Sequence, residues 1–379
     1  MDLKFIFLLG VTILLWLVPR IIKKNKGWHN FFVVIFSIFI TLVVIETTYR
    51  FILKKNAFTI KSNKNFGAYT NHPLTGFMIA DAGEMLVTKI ARNGDTIFNT
   101  IYTLIPDSGA HSIQMNHRSS FNNKTGNDTA EFVFFGCSIA YGEGIRDTET
   151  FAYVTGERCN TSSLNYAFSG FGTHQAYNIY LNKYKGFTDQ KKRTFVYSFI
   201  PDHILRAKCI YPWNINDPYF ELVNDSLVLK GKATDNSGYA KTHRLTRYLS
   251  LFNAFTFITD IETSVVTGKA AKELQQHDYD RTFRMIQSMQ KSIAANNDNL
   301  IFLYWDKYKW KEADDSKILN RSLIEQEIEN LRKLGVTVVK ASEAFDINNS
   351  SFFIKGDGHP TAEANKLVAA LLAKNICNK

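Results

Sequence analysis

The sequence predicts an α/β protein: a three-layer α/β/α domain around a mostly parallel five-stranded sheet, preceded by a two-helix transmembrane hairpin. Two observations carry this. From Glu131 onward, short apolar runs alternate with helix-length segments, the pattern of strands joined by crossover helices. Before it, the first fifty residues hold two long apolar runs. The predicted organisation is a hairpin over 1–50, a linker and β-containing segment over 56–130, and the α/β domain over 131–379.

Phe5 to Val18 are uncharged and nearly all apolar, and Phe31 to Ile45 carry no charge. Each run falls slightly short of the roughly 20 residues that span a bilayer. Trp28, Thr47, Thr48 and Tyr49 lengthen the second, and Trp and Tyr suit the interface. No cleavage-like small-residue site follows the first run, which argues against a removed signal peptide. The joining loop holds Arg20, Lys23, Lys24 and Lys26, placing it in the cytoplasm and the body outside; Arg50, Lys54 and Lys55 pull the other way.

In 56–130, Glu84–Ile90 and Thr100–Ile105 read as strands around the turn Asn93-Gly94-Asp95, and Ser119–Thr129 reads as a polar loop. The predicted sheet strands are Phe132–Phe135, Leu164–Phe168, Thr194–Ile200, Leu300–Trp305 and Val336–Val339. The predicted helices are Thr173–Tyr184, Tyr279–Ala294, Lys317–Leu334 and Thr361–Lys374.

The composition, 45% hydrophobic and 21% charged, is that of a globular chain. The formal charge of +10 gathers beside the apolar runs and elsewhere mixes with acidic residues, as in Lys307–Lys311 before Glu312, Asp314 and Asp315. It reads as membrane-related, with no nucleic-acid partner. Cys137, Cys159, Cys209 and Cys377 lack metal-ligand spacing, so no metal or cofactor is expected. Cys159 and Cys209 could pair in an oxidising compartment.

The chemistry sits at two places. The strand Phe132–Phe135 runs into Gly136-Cys137-Ser138, where glycine permits a sharp turn and Ser138 opens the next segment, its backbone N–H free to meet an oxyanion. A serine needs a base, and near the C-terminus Asp357-Gly358-His359-Pro360 supplies a histidine with a carboxylate close enough to orient it. Ser138 as a mere helix cap and Asp357 as a turn residue are the plainer alternatives. Glu143 and Asp147 read as surface or cap residues. Tyr211, Trp213, Tyr219 and Phe220 form either a sugar-stacking platform or local core.

Gly136-Cys137-Ser138 after a strand resembles the first block of the SGNH (GDSL) hydrolases, usually G-D-S. The string from Gly142 to Phe151 is similar to its continuation in membrane-anchored members. Leu164 to Gln175 resembles the second block, with Gly170 (or Gly172) as the oxyanion glycine, and Asp357-Gly358-His359-Pro360 resembles the last. The resemblance covers about 250 residues, from Glu131 to the end. It implies an SGNH/flavodoxin-like fold and a Ser138–His359–Asp357 triad, with an oxyanion hole from Ser138 and Gly170. The implied activity is that of a membrane-anchored serine esterase or O-acyltransferase on acylated, chiefly O-acetylated, cell-surface glycans. A glycan-binding or docking subunit for a membrane acyltransferase is the alternative.

Two departures stand out. Many members place Asp three residues before His, where this chain has Gly356; a D-x-H step occurs among related polysaccharide O-acetyltransferases. The third block usually ends in an oxyanion Asn, whereas here the strand ends in Pro201-Asp202-His203. Proline has no N–H and an ionised Asp repels an oxyanion, leaving His203 as the side chain that could donate.

Overall fold

The computed structural model describes residues 3–21, 26–53, 58–63, 70–79, 81–106, 113, 115–122, 130–186, 191–248, 255–306 and 319–377. Lys23, Lys24, Lys54, Lys55, most of the polar loop before Thr129, the mixed-charge run 307–315 and Lys317 lie outside these residues. The chain divides into two compact units, Met1–Ala57 with Thr242–Gly268, and Phe58–Lys241 with Lys269–Lys379.

The first unit holds helices α1 (Leu3–Ile21) and α2 (Lys26–Thr48). They run antiparallel: His29 Nδ1 meets the Pro19 carbonyl at 3.0 Å near the turn, while Leu8 packs with Phe39 and Val43. Of the expected pair of membrane spans, α2 has the length and apolar composition to cross a bilayer. Among the described residues α2 alone meets that measure. The second arm, 242–268, was not anticipated. Phe255 joins the Leu8–Phe39–Val43 cluster, Phe257 N–H donates to the buried Glu46 carboxylate at 3.0 Å, and Tyr49 donates to Asp260 at 2.9 Å. Glu46 also pairs with Arg50. A carboxylate in an apolar helix is tolerated when its oxygens are met in this way.

The second unit is built on a nine-stranded sheet in the order β1-β2-β3-β4-β6-β5-β7-β10-β11. Its strands are β1 (Thr59–Ser62), β2 (Gly83–Ile90), β3 (Thr96–Pro106), β4 (Asn116–Arg118), β5 (Ala130–Phe135), β6 (Ser163–Asn165), β7 (Lys192–Phe199), β10 (Asn299–Tyr304) and β11 (Thr337–Lys340). A separate hairpin pairs β8 (Pro218–Val223) with β9 (Ser226–Lys232). The five strands read from the apolar runs form the parallel part, β6-β5-β7-β10-β11. The antiparallel β1 to β4 extend it through β4 on β6, so the sheet is larger than the five strands expected.

The helices are α3 (Ser138–Tyr141), α4 (Phe151–Cys159), α5 (Thr173–Lys183), α6 (His203–Ala207), α7 (Ala233–Asn236), α8 (Gly238–Tyr248), α9 (Thr256–Lys272), α10 (Gln276–Ala295), α11 (Arg321–Lys333) and α12 (Ala362–Ile376). The β5–α4–β6 crossover moves along the sheet in one direction; β6–α5–β7, β7–α10–β10 and β10–α11–β11 move in the other. Right-handed crossovers then place α4 on one face and α5, α10 and α11 on the opposite face. α12 returns to pack on α4. With both faces covered, the central stretches of β5, β7 and β10 are largely apolar and bury Phe134, Phe135, Phe195, Tyr197, Phe199, Phe302 and Tyr304. Cys159, ending α4, is bridged to Cys377 beyond α12, with Cα atoms 5.6 Å apart. The Cys159–Cys209 pairing considered from the sequence is thereby corrected: Cys209 is a free, buried thiol.

Candidate active site

The site lies at the carboxyl end of the parallel strands, where open α/β sheets present their loops. β5 ends at Phe135 and Gly136 turns the chain with φ of +153°. A Cβ there would stand 2.9 Å from the Ala140 Cβ and 3.0 Å from the Ser198 carbonyl oxygen, so only glycine lets α3 start this close to β7. Ser138 is the first residue of α3, and its backbone N–H has no acceptor among the described residues.

The other half comes from the turn between β11 and α12. Ile354 N–H donates to the His359 carbonyl at 2.8 Å, and Asp357 and Gly358 N–H both return to the Ile354 carbonyl. Gly356 and Gly358 occupy the left-handed region, with φ of +80° and +88°. This tight loop explains the departure in spacing. With a left-handed glycine on each side, Asp357 curls back so that its carboxylate meets the imidazole of a residue only two positions later.

His359 Nε2 lies 2.8 Å from Ser138 Oγ, and His359 Nδ1 lies 2.5 Å from Asp357 Oδ2. The Asp357 side chain is buried and that of His359 is 17% exposed, so the hydroxyl–imidazole pair opens to solvent while its carboxylate does not. Asp357 Oδ1 pairs with the ammonium of Lys89, on β2. Burial pushes the Asp357 carboxyl up, but the His359 hydrogen bond and the Lys89 charge outweigh it and hold it down at about 2. An ionised carboxylate on Nδ1 fixes the tautomer with Nε2 facing the serine, the arrangement through which a hydroxyl proton passes to an imidazole.

Four further residues contribute to the site. Lys89 follows Met85 and Val87 on the inward face of β2, and a charge closing an apolar alternation was the available signal. Arg118, fully buried on β4, pairs with Asp147 at 2.8 Å and donates to the carbonyls of Tyr141, Gly142 and Ile145. It clamps the loop after Ser138, and nothing local in the sequence marks it. Glu143, expected on the surface, instead accepts from Ser169 Oγ at 2.6 Å and places its carboxylate 3.9 Å from His359 Nε2. Asp147, likewise read as a surface or cap residue, is the acid that Arg118 holds, and it also accepts from Thr103 N–H at 3.1 Å.

Gly170 follows Ser169 in the left-handed region (φ +86°), and its N–H also has no acceptor among the described residues. The third-block position is built differently. Asp202 pairs with Arg206 at 2.6 Å and accepts from Tyr211 at 2.5 Å, and Arg206 in turn donates to the Phe171 carbonyl. His203 is fully buried, with Nδ1 2.7 Å from the Tyr197 hydroxyl. Burial, with help from the Arg206 charge, drives its pKa well below the ordinary imidazole range and keeps it neutral. The structure does not bring the His203 side chain out to Ser138; among the described residues its Nε2 is buried without a partner.

Among the described residues, two groups have metal-like geometry. Glu143, Asp357 and His359 converge, but the Lys89 ammonium already occupies the Asp357 carboxylate. His174, Cys209 and Asp217 form a buried set in which Asp217 Oδ2 is engaged by His174, Gln175 and Asn214.

No protein-family model and no curated protein matches the chain. Solved structures overlap it in part. A lipolytic protein of the G-D-S-L family from Veillonella parvula is 12% identical, with a TM-score of 0.39 over 66% of this chain and 99% of that one. A putative acylhydrolase from Bacteroides fragilis is 14% identical, with a TM-score of 0.36 over 65% and 86%. An acetylxylan esterase from Geobacillus stearothermophilus is 8% identical, with a TM-score of 0.35 over 65% and 93%. The chemistry rests on the site's own atoms.

Proposed function

We propose that the protein is a serine esterase or O-acyltransferase of the SGNH type, acting on acyl esters of glycans. The observation that carries this is the continuous relay from Ser138 Oγ through His359 to the ionised Asp357. Ser138 Oγ attacks the ester carbonyl as its proton passes to His359 Nε2, and Asp357 stabilises the imidazolium. The Ser138 and Gly170 N–H groups receive the oxyanion. The imidazolium then protonates the leaving alkoxide, and the acyl-enzyme is resolved by water in hydrolysis or by a second hydroxyl in transfer. Both outcomes use the same residues.

Helix α2 supplies a membrane anchor. The Cys159–Cys377 bridge favours an oxidising compartment, so the catalytic unit works outside the cytoplasm, beside cell-surface glycan. A second reading, a weakly active or inactive subunit docked to a membrane acyltransferase, draws on the third-block strand end, where Asp202 and His203 are both committed elsewhere.

The test is labelling of the detergent-solubilised full chain with a fluorophosphonate. Wild type is expected to label, and Ser138→Ala and His359→Ala to remain unlabelled. A folded wild-type chain that does not label sinks the esterase reading in favour of the docking one.

A further inference from the structure

The loop after α6 presents one aromatic face to solvent beside the proposed oxyanion glycine. Of the four aromatic residues in this insertion, Phe220 is buried, Tyr219 packs against the Cys209–Ala233–Ala240 cluster, and Tyr211 is half-buried. Trp213 is 40% exposed and lies flat on Tyr211, with ring centres 4.5 Å apart and planes within 5°. Its indole touches Gly170: a Cβ on that glycine would stand 3.3 Å from the indole nitrogen. Gly170 is the neighbour of Ser169, whose hydroxyl holds Glu143 beside His359. A continuous run of contacts therefore links the exposed indole to the catalytic imidazole.

The pair is also held rigidly from both ends. Tyr211 donates to Asp202, itself locked by Arg206. On the far side of Trp213, Asn214 donates to the fully buried Asp217, which also binds His174 and Gln175 at the start of α5. The three hydrogen bonds on Asp217 Oδ2 anchor the residue that follows Trp213, although Asp217 Oδ1, Asn214 Oδ1 and His174 Nδ1 are buried without a partner among the described residues.

We propose that Trp213, stacked on Tyr211, is a saccharide subsite: it receives the face of a pyranose ring and presents that sugar's acyl ester to Ser138. Sugar rings offer an apolar C–H face and a polar rim, which suits an indole. Asp202 is a positioning residue here, and its departure from the third-block pattern has a use: the strand end that would carry an oxyanion donor instead fixes the platform. The inference rests on the esterase reading for the ester but not for the sugar.

The experiment compares wild type, Trp213→Ala and Trp213→Phe in the full-length chain. The substrates are 4-nitrophenyl acetate and a panel of partially O-acetylated oligomers of glucose, xylose and N-acetylglucosamine. The preference for the best oligosaccharide over the small ester, as a ratio of kcat/KM, is expected to fall about tenfold in Trp213→Ala and to recover in part in Trp213→Phe. A parallel fall on both substrates, leaving the ratio unchanged, overturns the subsite. Calorimetry on Ser138→Ala with the same oligomers gives a readout free of catalysis. Binding that disappears in the Ser138→Ala, Trp213→Ala double variant supports the platform even if wild type releases no acetate, whereas no binding by any oligomer overturns it. Release of acetate from neither substrate is a failure of the esterase reading, not of the platform.

Discussion

Lys89→Met tests the site from its least legible side. Lys89 and Asp357 form a buried ion pair whose side chains are 8% and 0% exposed, and the carboxylate is shared with His359. The Asp357 pKa falls from 3.8 to about 2 on folding. That difference is worth about 2 kcal/mol at neutral pH, divided between the two partners. Removing Lys89 also leaves Asp357 Oδ1 buried without its ion-pair partner, which adds about 1–3 kcal/mol. A loss of roughly 2–4 kcal/mol is therefore expected at pH 7, lowering Tm by about 4–12 °C for a unit of this size.

The pH dependence gives the sharper signature. A depressed carboxylate pKa contributes stability that is fully present above the unfolded value of 3.8 and is lost as pH falls through the folded value of about 2. The gap between wild type and Lys89→Met should therefore be steady from pH 7 to about 5, shrink by roughly half near pH 3, and nearly close by pH 2. Urea unfolding of the solubilised chain across that range reads it directly. A gap that stays constant down to pH 2 would refute the ion-pair account and leave only lost packing. Lys89→Arg, which keeps the charge, should restore most of the stability.

Two further outcomes follow from the same architecture. Arg118→Met strands Asp147 and three loop carbonyls in the interior, so a loss of about 3–5 kcal/mol is expected, together with loss of fluorophosphonate labelling; thermal unfolding and labelling of the same samples check both. Cys377→Ser opens a bridge spanning 218 positions that ties α4 to α12 and should cost about 2–5 kcal/mol, measured by urea unfolding with and without reductant, with reductant harming wild type only.

What the sequence disclosed is what is local. The five parallel strands were legible because a strand buried on both faces must be apolar along its length, as in Phe132–Phe135 and Leu300–Tyr304. Ser138 and His359 were legible because each sits in a short glycine-bearing turn that the chemistry requires. Arg118 and the Cys377 partner of Cys159 were not, because each acts across a long separation and looks ordinary among its neighbours, and Lys89 showed only a charge on an inward strand face with no hint of its partner. The 242–268 arm escaped for the same reason: Phe255 and Asp260 acquire meaning only beside Phe39 and Tyr49.

The Pro201-Asp202-His203 strand end ties these lines together. Losing one oxyanion donor typically costs about 100- to 1000-fold in rate. An enzyme built this way would be poorly matched to amides, whose resonance-stabilised carbonyl resists attack and whose amine leaves poorly, and better matched to esters, whose carbonyl is more electrophilic and whose alkoxide leaves more readily. In exchange, Asp202 holds Tyr211 and Arg206 in place, and through them the surface of Trp213 beside Gly170. Binding energy gained from a sugar far from the reacting carbonyl can be used to hold the ester against Ser138, offsetting part of the missing donor. On the proposed reading, two backbone donors and an aromatic shelf suit a glycan ester better than a peptide.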